Sequence, residues 1–394
     1  MTTASQGIEG RLIIDLSREG GRLSARIAST RPVGLARAFA GRDPAEVLAT
    51  IPLLFTLCGV AHSVAAVEAY EEAHGLAAPP ATTAARRISV LAETAREHFL
   101  RMALDWPRFL STEPDKAPMP RIMALLPQMR RVLSAGGDPF KPGAAARIDA
   151  GALEAAIAAL GELLQTNVFG EPAEAWLSRR SGAGLADWAA SRSTTAARFI
   201  RLIIERGWQS LGAGETRFLP ALDRETAVAA LGGGGWEAFL AAPVWEGEPH
   251  ETTPLARQRH TPLIAALMAE HGAGLLTRAC ARLVELAAIP AAMHALAGSI
   301  QAAAWPAARH AADGAGLAQV EAARGRLVHY LRLDGARVGH YAILAPTEWN
   351  FHPRGAAVHG LQSLRAEDTQ ELCAQADTFI NVIDPCVSYE LRLH

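Results

Sequence analysis

Two cysteines with small or rigid neighbours, Cys58-Gly59-Val60 near one end and Asp384-Pro385-Cys386 near the other, are the residues best suited to chemistry here. A deprotonated cysteine is a soft metal ligand and a nucleophile. Arg324-Gly325 and Pro346-Thr347 add a guanidinium fork and a hydroxyl, donors that suit an acceptor of anionic character. Cys58 and His62 have helical i, i+4 spacing, which permits a metal pair, although two residues alone rarely make a site. The other two cysteines read as packing residues, Cys280 between Ala279 and Ala281 and Cys373 further on. All four lie too far apart for a small disulfide framework, so free thiols are expected. His329, His340, His352 and His359 cluster in sequence, but strand alternation sends neighbours to opposite faces, and satisfied histidines are the expectation.

These groups are spread over most of the chain, so regular elements must gather them. Leu12, Ile14 and Leu16 alternate with polar residues, Gly20-Gly21 turns the chain, and Leu23, Ala25 and Ile27 alternate again, the pattern of a half-buried hairpin. Asp43-Pro44-Ala45-Glu46 supplies an N-cap, a first-turn proline and a capping-box glutamate for a helix ending near Pro52 to Phe55. Another helix runs beyond Gly59 to a stop at His74-Gly75, which sets Cys58 just ahead of a helix N-terminus, where free amides and the helix dipole favour a thiolate. Ile88, Leu91, Ala95, Phe99 and Met102 repeat at helical spacing up to Asp105-Trp106-Pro107. Further helices are predicted at about 120–134, 149–165, 193–208, 254–270 and 273–302. Ser111 to Pro120 and the Gly232 to Gly235 run read as surface connections, and the glycine run lacks the Gly-Lys-Ser/Thr of a phosphate loop. Strands return at Leu327 to Leu333 and Val338 to Leu344 around Asp334-Gly335. A two-residue turn there would pair position 324 with position 345 and lay Arg324 beside Ala345-Pro346-Thr347. The pattern is that of an α+β protein, predominantly α-helical.

The chain has 394 residues, half of them hydrophobic and a fifth charged, enough for a large core. A net charge of -2 with scattered basic residues excludes nucleic acid as an expected partner. The first twenty residues carry Glu9, Arg11, Asp15, Arg18 and Glu19, unlike a secretory signal, and the apolar stretch around Ile289 to Ala308 is interrupted by Pro290, His294 and Gln301. No membrane insertion and a cytoplasmic location are expected.

In their order, Cys58-Gly59-Val60, Arg324-Gly325, Pro346-Thr347-Glu348-Trp349-Asn350 and Asp384-Pro385-Cys386 resemble NiFe-hydrogenase large subunits. Ile8-Glu9-Gly10, Gly41-Arg42-Asp43-Pro44, Leu104-Asp105-Trp106 and Glu251 to Arg257 are similar to that family as well. The resemblance implies a single large-subunit-like domain over 1–394: hairpin and helices at 8–110, a divergent helical middle at 111–250, then helices, a hairpin and the Asp-Pro-Cys segment at 251–394. It also implies two Cys-x-x-Cys pairs holding nickel and an iron with cyanide and carbon monoxide. Here the second member of each pair is Ala61 or Tyr389. Two thiolates hold one metal but cannot bridge two without help, so no nickel and no catalytic hydrogenase centre are expected. No magnesium is expected either, because the family's glutamate and histidine positions fall on Ala36 and Arg392.

What the resemblance preserves is the set aimed at the iron's ligands: Arg324 above the iron, Pro346 and Thr347 donating to a cyanide, and Glu9 beside a cysteine. This combination resembles the HupK and HoxV group of hydrogenase accessory proteins, non-catalytic large-subunit paralogues. It implies a scaffold on which Cys58 and Cys386 hold an iron-cyanide-carbonyl unit transiently, with hydrogenase maturation proteins and the true large subunit as partners. The resemblance gives the bridging positions to the missing cysteines, so iron would shift toward Cys58 and Cys386. A metal-free adaptor or chaperone for the maturation proteins is the alternative.

Overall fold

A computed structural model describes residues 10–19, 22–299 and 314–394. Glu9, the Gly20-Gly21 turn and the far end of the helix expected at 273–302 lie outside the described residues. Strand β1 (Arg11–Glu19) pairs antiparallel with β2 (Arg22–Ser29), from Leu12 opposite Ser29 to Glu19 opposite Arg22. Leu12, Ile14 and Leu16 are buried on one face, against Ala376, Phe379 and Ile380 of helix Thr369–Ile383. A third strand, β6 (Ser388–Leu393), adds to the other edge of β1 in parallel, Arg11 opposite Ser388 and Leu16 opposite Leu393. It begins two residues after Cys386, so the two ends of the chain meet in one sheet.

Helix α1 (Pro44–Leu54) starts as expected: the Asp43 carboxylate accepts the Ala45 N–H at 2.8 Å and Pro44 occupies the first turn. Helix α2 (Gly59–Ala73) has Cys58 as its N-cap residue and ends at His74, with Gly75 at positive φ. Its small buried residues, Ala61, Ala65, Ala66, Ala69 and Ala73, let it approach the second sheet very closely. Helix α3 (Pro80–Leu100) lies against α2, tied by the buried Arg86–Glu71 pair at 2.6 and 2.8 Å. Helices Met119–Leu133, Ala150–Leu164, Thr195–Glu205 and Leu275–Ser299 complete the bundle, close to their predicted positions. Leu275–Gly298 is apolar and long enough to cross a membrane, but Leu275, Ala279, Leu283 and Leu286 sit in the protein core.

Three expectations need correction. The stretch predicted as one helix at 254–270 is two, Pro254–Gln258 and Pro262–His271, because Pro262 has no N–H to continue the ladder and instead starts a new first turn. Helices Gly182–Ser191, Arg224–Gly232 and Thr369–Ile383 were not expected. The C-terminal hairpin is the middle of a three-stranded sheet in the order β3 (Ala315–Ala322), β4 (Gly325–Asp334), β5 (Arg337–Leu344), and its register differs. Asp334 faces Arg337, so the turn is Gly335-Ala336, and a bulge between Arg332 and Leu333 leaves Gly339 unpaired. Val328 therefore faces Leu344, where the expected register would put it against Tyr341. Arg324 lies outside that ladder, in the tight β3–β4 turn closed by the Ala322–Gly325 pair.

Candidate functional site

Arg324 nevertheless meets the segment after β5, by a route the ladder does not provide. The Asn350 amide donates to the Arg324 carbonyl at 2.9 Å, and its Oδ1 accepts the Thr252 N–H at 2.8 Å. Gly325 fits beneath because a side chain there would meet the Thr252 carbonyl at 2.3 Å. Held this way, Arg324 is buried with its guanidinium 3.6 Å from Cys58 Sγ, 3.2 Å from Glu97 Oε2 and 3.1 Å from Asp384 Oδ1. Thr347, on the helical turn Pro346–Asn350, accepts the Cys386 N–H at 3.1 Å. Cys58, Cys386, Arg324 and Thr347 are thus one cluster, with Pro346 lining the cavity beside it.

The two sulfurs are near enough for each to shift the ionisation of the other. Interaction with Cys58, followed by Arg324 and Arg31, holds Cys386 below the usual thiol range against the effect of burial. Interaction with Cys386, reinforced by burial, pushes Cys58 well up. This runs against the expectation that the helix N-terminus favours an anion at Cys58; Cys386 and burial raise it most, and a smaller push comes from Glu93. Its two carboxylate oxygens accept the Val60 and Ala61 amides at 2.9 Å each, so the exposed end of α2 is already capped.

Burial outweighs those two amide bonds and raises the Glu93 carboxyl to about 7. Between its unfolded value of 4.5 and 7 the folded chain keeps a proton that the unfolded chain releases, so this group's contribution to stability falls as pH rises across that window. Wild type compared with Glu93→Gln in urea unfolding at pH 4.5 and 8 is expected to lose about 3 kcal/mol of relative stability at the higher pH. A pH-independent difference would rule the assignment out.

Beneath the cysteines lies a hub. Asp384 caps helix Thr369–Ile383 in the left-handed region, φ 71°, and its buried carboxylate pairs with Arg101, with Arg324 and with Arg282 at 3.3 Å. Burial opposes its ionisation, but the three guanidiniums hold the carboxyl far below its usual range. Burial pulls Arg282 down to about 10. No periodicity marks Glu93, Glu97, Arg101 or Arg282 for these roles; Glu93 and Glu97 are at i, i+4 on α3, which would have placed them on one face and nothing more.

The second-cysteine positions carry no sulfur. Ala61 is packed in the core, and the Tyr389 hydroxyl bonds Asp377 and, at 2.9 Å, Arg108. Ala36 is buried and Arg392 pairs at the surface with Glu390, so neither supplies a hard-cation ligand. Cys280 is a packing residue, as expected, whereas Cys373 is exposed. It lies outside the Leu372, Ala376, Phe379 and Ile380 stripe by which its helix faces the core. His340 and His359 bond backbone carbonyls, the satisfied role expected of them. Among the described residues no group of three or more His, Cys, Asp or Glu is placed to hold a metal ion.

Cys386 stands between two spaces. An inner cavity of about 80 Å³, bounded by Cys58, Cys386, His62, Pro346, Arg31 and Phe55, has room for a small ligand or several waters. An outer cleft of about 1070 Å³ reaches Cys386 and Arg324 past Arg101, Arg108, Arg206 and Cys373.

A profile of the nickel-dependent hydrogenase family matches residues 226–388. The hydrogenase expression/formation protein HoxV of Cupriavidus necator is 31% identical over an alignment covering 94% of this chain and 95% of the relative. HupV of Azotobacter chroococcum is 30% identical, covering 98% of each, and HupK of Bradyrhizobium diazoefficiens 32%, covering 91% of this chain and 89% of the relative. Among solved structures, the Ni-Fe-Se hydrogenase of D. vulgaris Hildenborough in its reduced state superposes with a TM-score of 0.68 at 16% identity, covering 94% of both chains. At that identity the likeness concerns the fold: this is the α+β architecture of a hydrogenase large subunit.

Proposed function

The chain belongs to the family of hydrogenase expression/formation proteins that includes HupK, HupV and HoxV, and from that membership we propose that it carries an iron-cyanide-carbonyl unit during hydrogenase assembly. It is a hydrogenase maturation protein, a non-catalytic paralogue of the large subunit. The observation that supports cargo binding is the sulfur pair itself: two cysteines, with Arg324 beside Cys58, between a small cavity and a larger, more open cleft. Two sulfurs complete a coordination sphere only for a metal that brings its own ligands, as iron with cyanide and carbon monoxide does. In this reading Arg324 and Thr347 donate to the cyanide nitrogens, which accept hydrogen bonds and carry anionic character. The arginines of the outer cleft draw an anionic cargo toward Cys386. Two sulfurs hold it less firmly than four, which suits a carrier that must hand it on to the true large subunit.

A metal-free adaptor for hydrogenase maturation proteins is the second reading, favoured by the fact that Arg324 and Thr347 already have protein partners. Infrared spectra of the chain purified anaerobically together with the maturation machinery separate the two. Bands of metal-bound cyanide and carbon monoxide, lost in Cys58→Ala and in Cys386→Ala while partner binding survives, are the expected result. Hydrogenase maturation left intact by the double alanine variant would favour the adaptor and sink the carrier.

A further inference from the structure

Besides the two cysteines and the Arg31–Glu348 pair, the inner cavity has a further polar lining group. His62, one turn along α2 from Cys58, lines it while being only 6% exposed, and its ring stacks on Phe55 at 4.3 Å. His62 Nδ1 lies 3.0 Å from His329 Nε2, and His329 Nδ1 lies 2.8 Å from the Tyr341 hydroxyl. All three side chains are buried, and β4 and β5 hold His329 and Tyr341 on adjacent strands.

The hydrogen positions in this chain follow from its buried end. Among the described residues the Tyr341 hydroxyl has no other hydrogen-bond partner, so its hydrogen is satisfied only by donation to His329 Nδ1. His329 then carries its own hydrogen on Nε2 and donates it to His62 Nδ1. His62 in turn must carry its hydrogen on Nε2, the nitrogen left over on a side chain that lines the cavity. The opposite polarity would strand the phenol hydrogen in the core, a penalty that disfavours it roughly tenfold to a hundredfold. Burial keeps both imidazoles neutral.

The geometry points to His62 Nε2–H as a hydrogen-bond donor for the nitrile nitrogen of a ligand in the inner cavity, with Tyr341 and His329 setting its tautomer from behind. This rests on the carrier reading for the identity of the ligand, a cyanide of the cargo. It also removes His62 as a metal ligand, since the nitrogen facing the cavity holds a hydrogen and not a lone pair.

Nitrogen-15 spectra of the full chain labelled at histidine test the tautomers directly. His62 and His329 are both expected to be protonated on Nε2 in wild type, and in Tyr341→Phe, which loses the donor but keeps the ring, the preference should collapse to a mixture. Potassium thiocyanate, a stable linear anion ending in a nitrile nitrogen, then serves as probe. It is expected to shift the His62 Nε2 resonance, and its nitrile stretch should shift in wild type, revert in His62→Leu and be partly restored in His62→Gln, whose amide also donates. Protonation of His62 on Nδ1, or a His62 resonance indifferent to saturating thiocyanate, overturns the inference. Thiocyanate response retained in a protein that never shows metal-cyanide bands would sink the carrier reading alone.

Discussion

Asp384→Ala is expected to remove about 3–5 kcal/mol of stability, the usual penalty for leaving a buried charge without its partner, and here Arg101, Arg282 and Arg324 lose theirs together. Against the 5–15 kcal/mol that typically holds a protein folded, that is enough to leave much of the chain unfolded or insoluble. Asp384→Asn keeps the shape and removes the charge, so it should retain most of the loss. Adding Arg282→Met to Asp384→Asn should recover part of it, since Arg282 is buried and its pairing is with Asp384. The depressed carboxyl contributes stability that is complete above its unfolded value of 3.8 and is lost as pH falls below it. The advantage of wild type over Asp384→Asn in urea should therefore shrink only in acid. A variant within about 0.5 kcal/mol of wild type at pH 7 would show that the arginines find other partners.

Gly316→Val should be as damaging for a steric reason. A side chain at position 316 would stand 1.7 Å from the Ala69 carbonyl oxygen and 2.7 Å from its carbon, both backbone atoms of α2 that cannot rotate aside. Overfilling a packed interface costs about 1–3 kcal/mol even where side chains yield. With backbone on the far side, about 3 kcal/mol is expected, measured as a lower urea midpoint. Because Cys58 is the N-cap residue of α2, displacing the helix should also move Cys58 relative to Cys386. Cys58 is buried, so protection from iodoacetamide is expected in wild type and reactivity in Gly316→Val. Unchanged protection together with an unchanged midpoint would mean that β3 moves and α2 does not.

The elements easiest to read were those written in local chemistry. The cap at Asp43 and Pro44, the alternation of Leu12, Ile14 and Leu16, and the stop at His74-Gly75 all act within a few residues, and the structure has them where the pattern put them. Helices such as Arg224–Gly232 and Thr369–Ile383 escaped because short or Ala-rich segments carry weak periodicity. The hairpin register failed because one bulge at Gly339 and a turn displaced by one residue are invisible to alternation alone. Strand β6 escaped because parallel pairing between the two ends of a chain leaves no local signature.

For the site, residue types and their order along the chain settle which groups are present: two cysteines without their second partners, an arginine and a threonine suited to anionic acceptors, and no further sulfur at Ala61 or Tyr389. Tertiary packing decides what those groups are. How readily each thiol ionises depends on the other sulfur, on burial and on Arg324, which is held by Asn350 and Asp384. Which nitrogen of His62 faces the cavity depends on a phenol on another strand. Charge and tautomer are set by electrostatics and hydrogen bonding over a few ångströms of space, and those neighbours come from elements that only folding brings together.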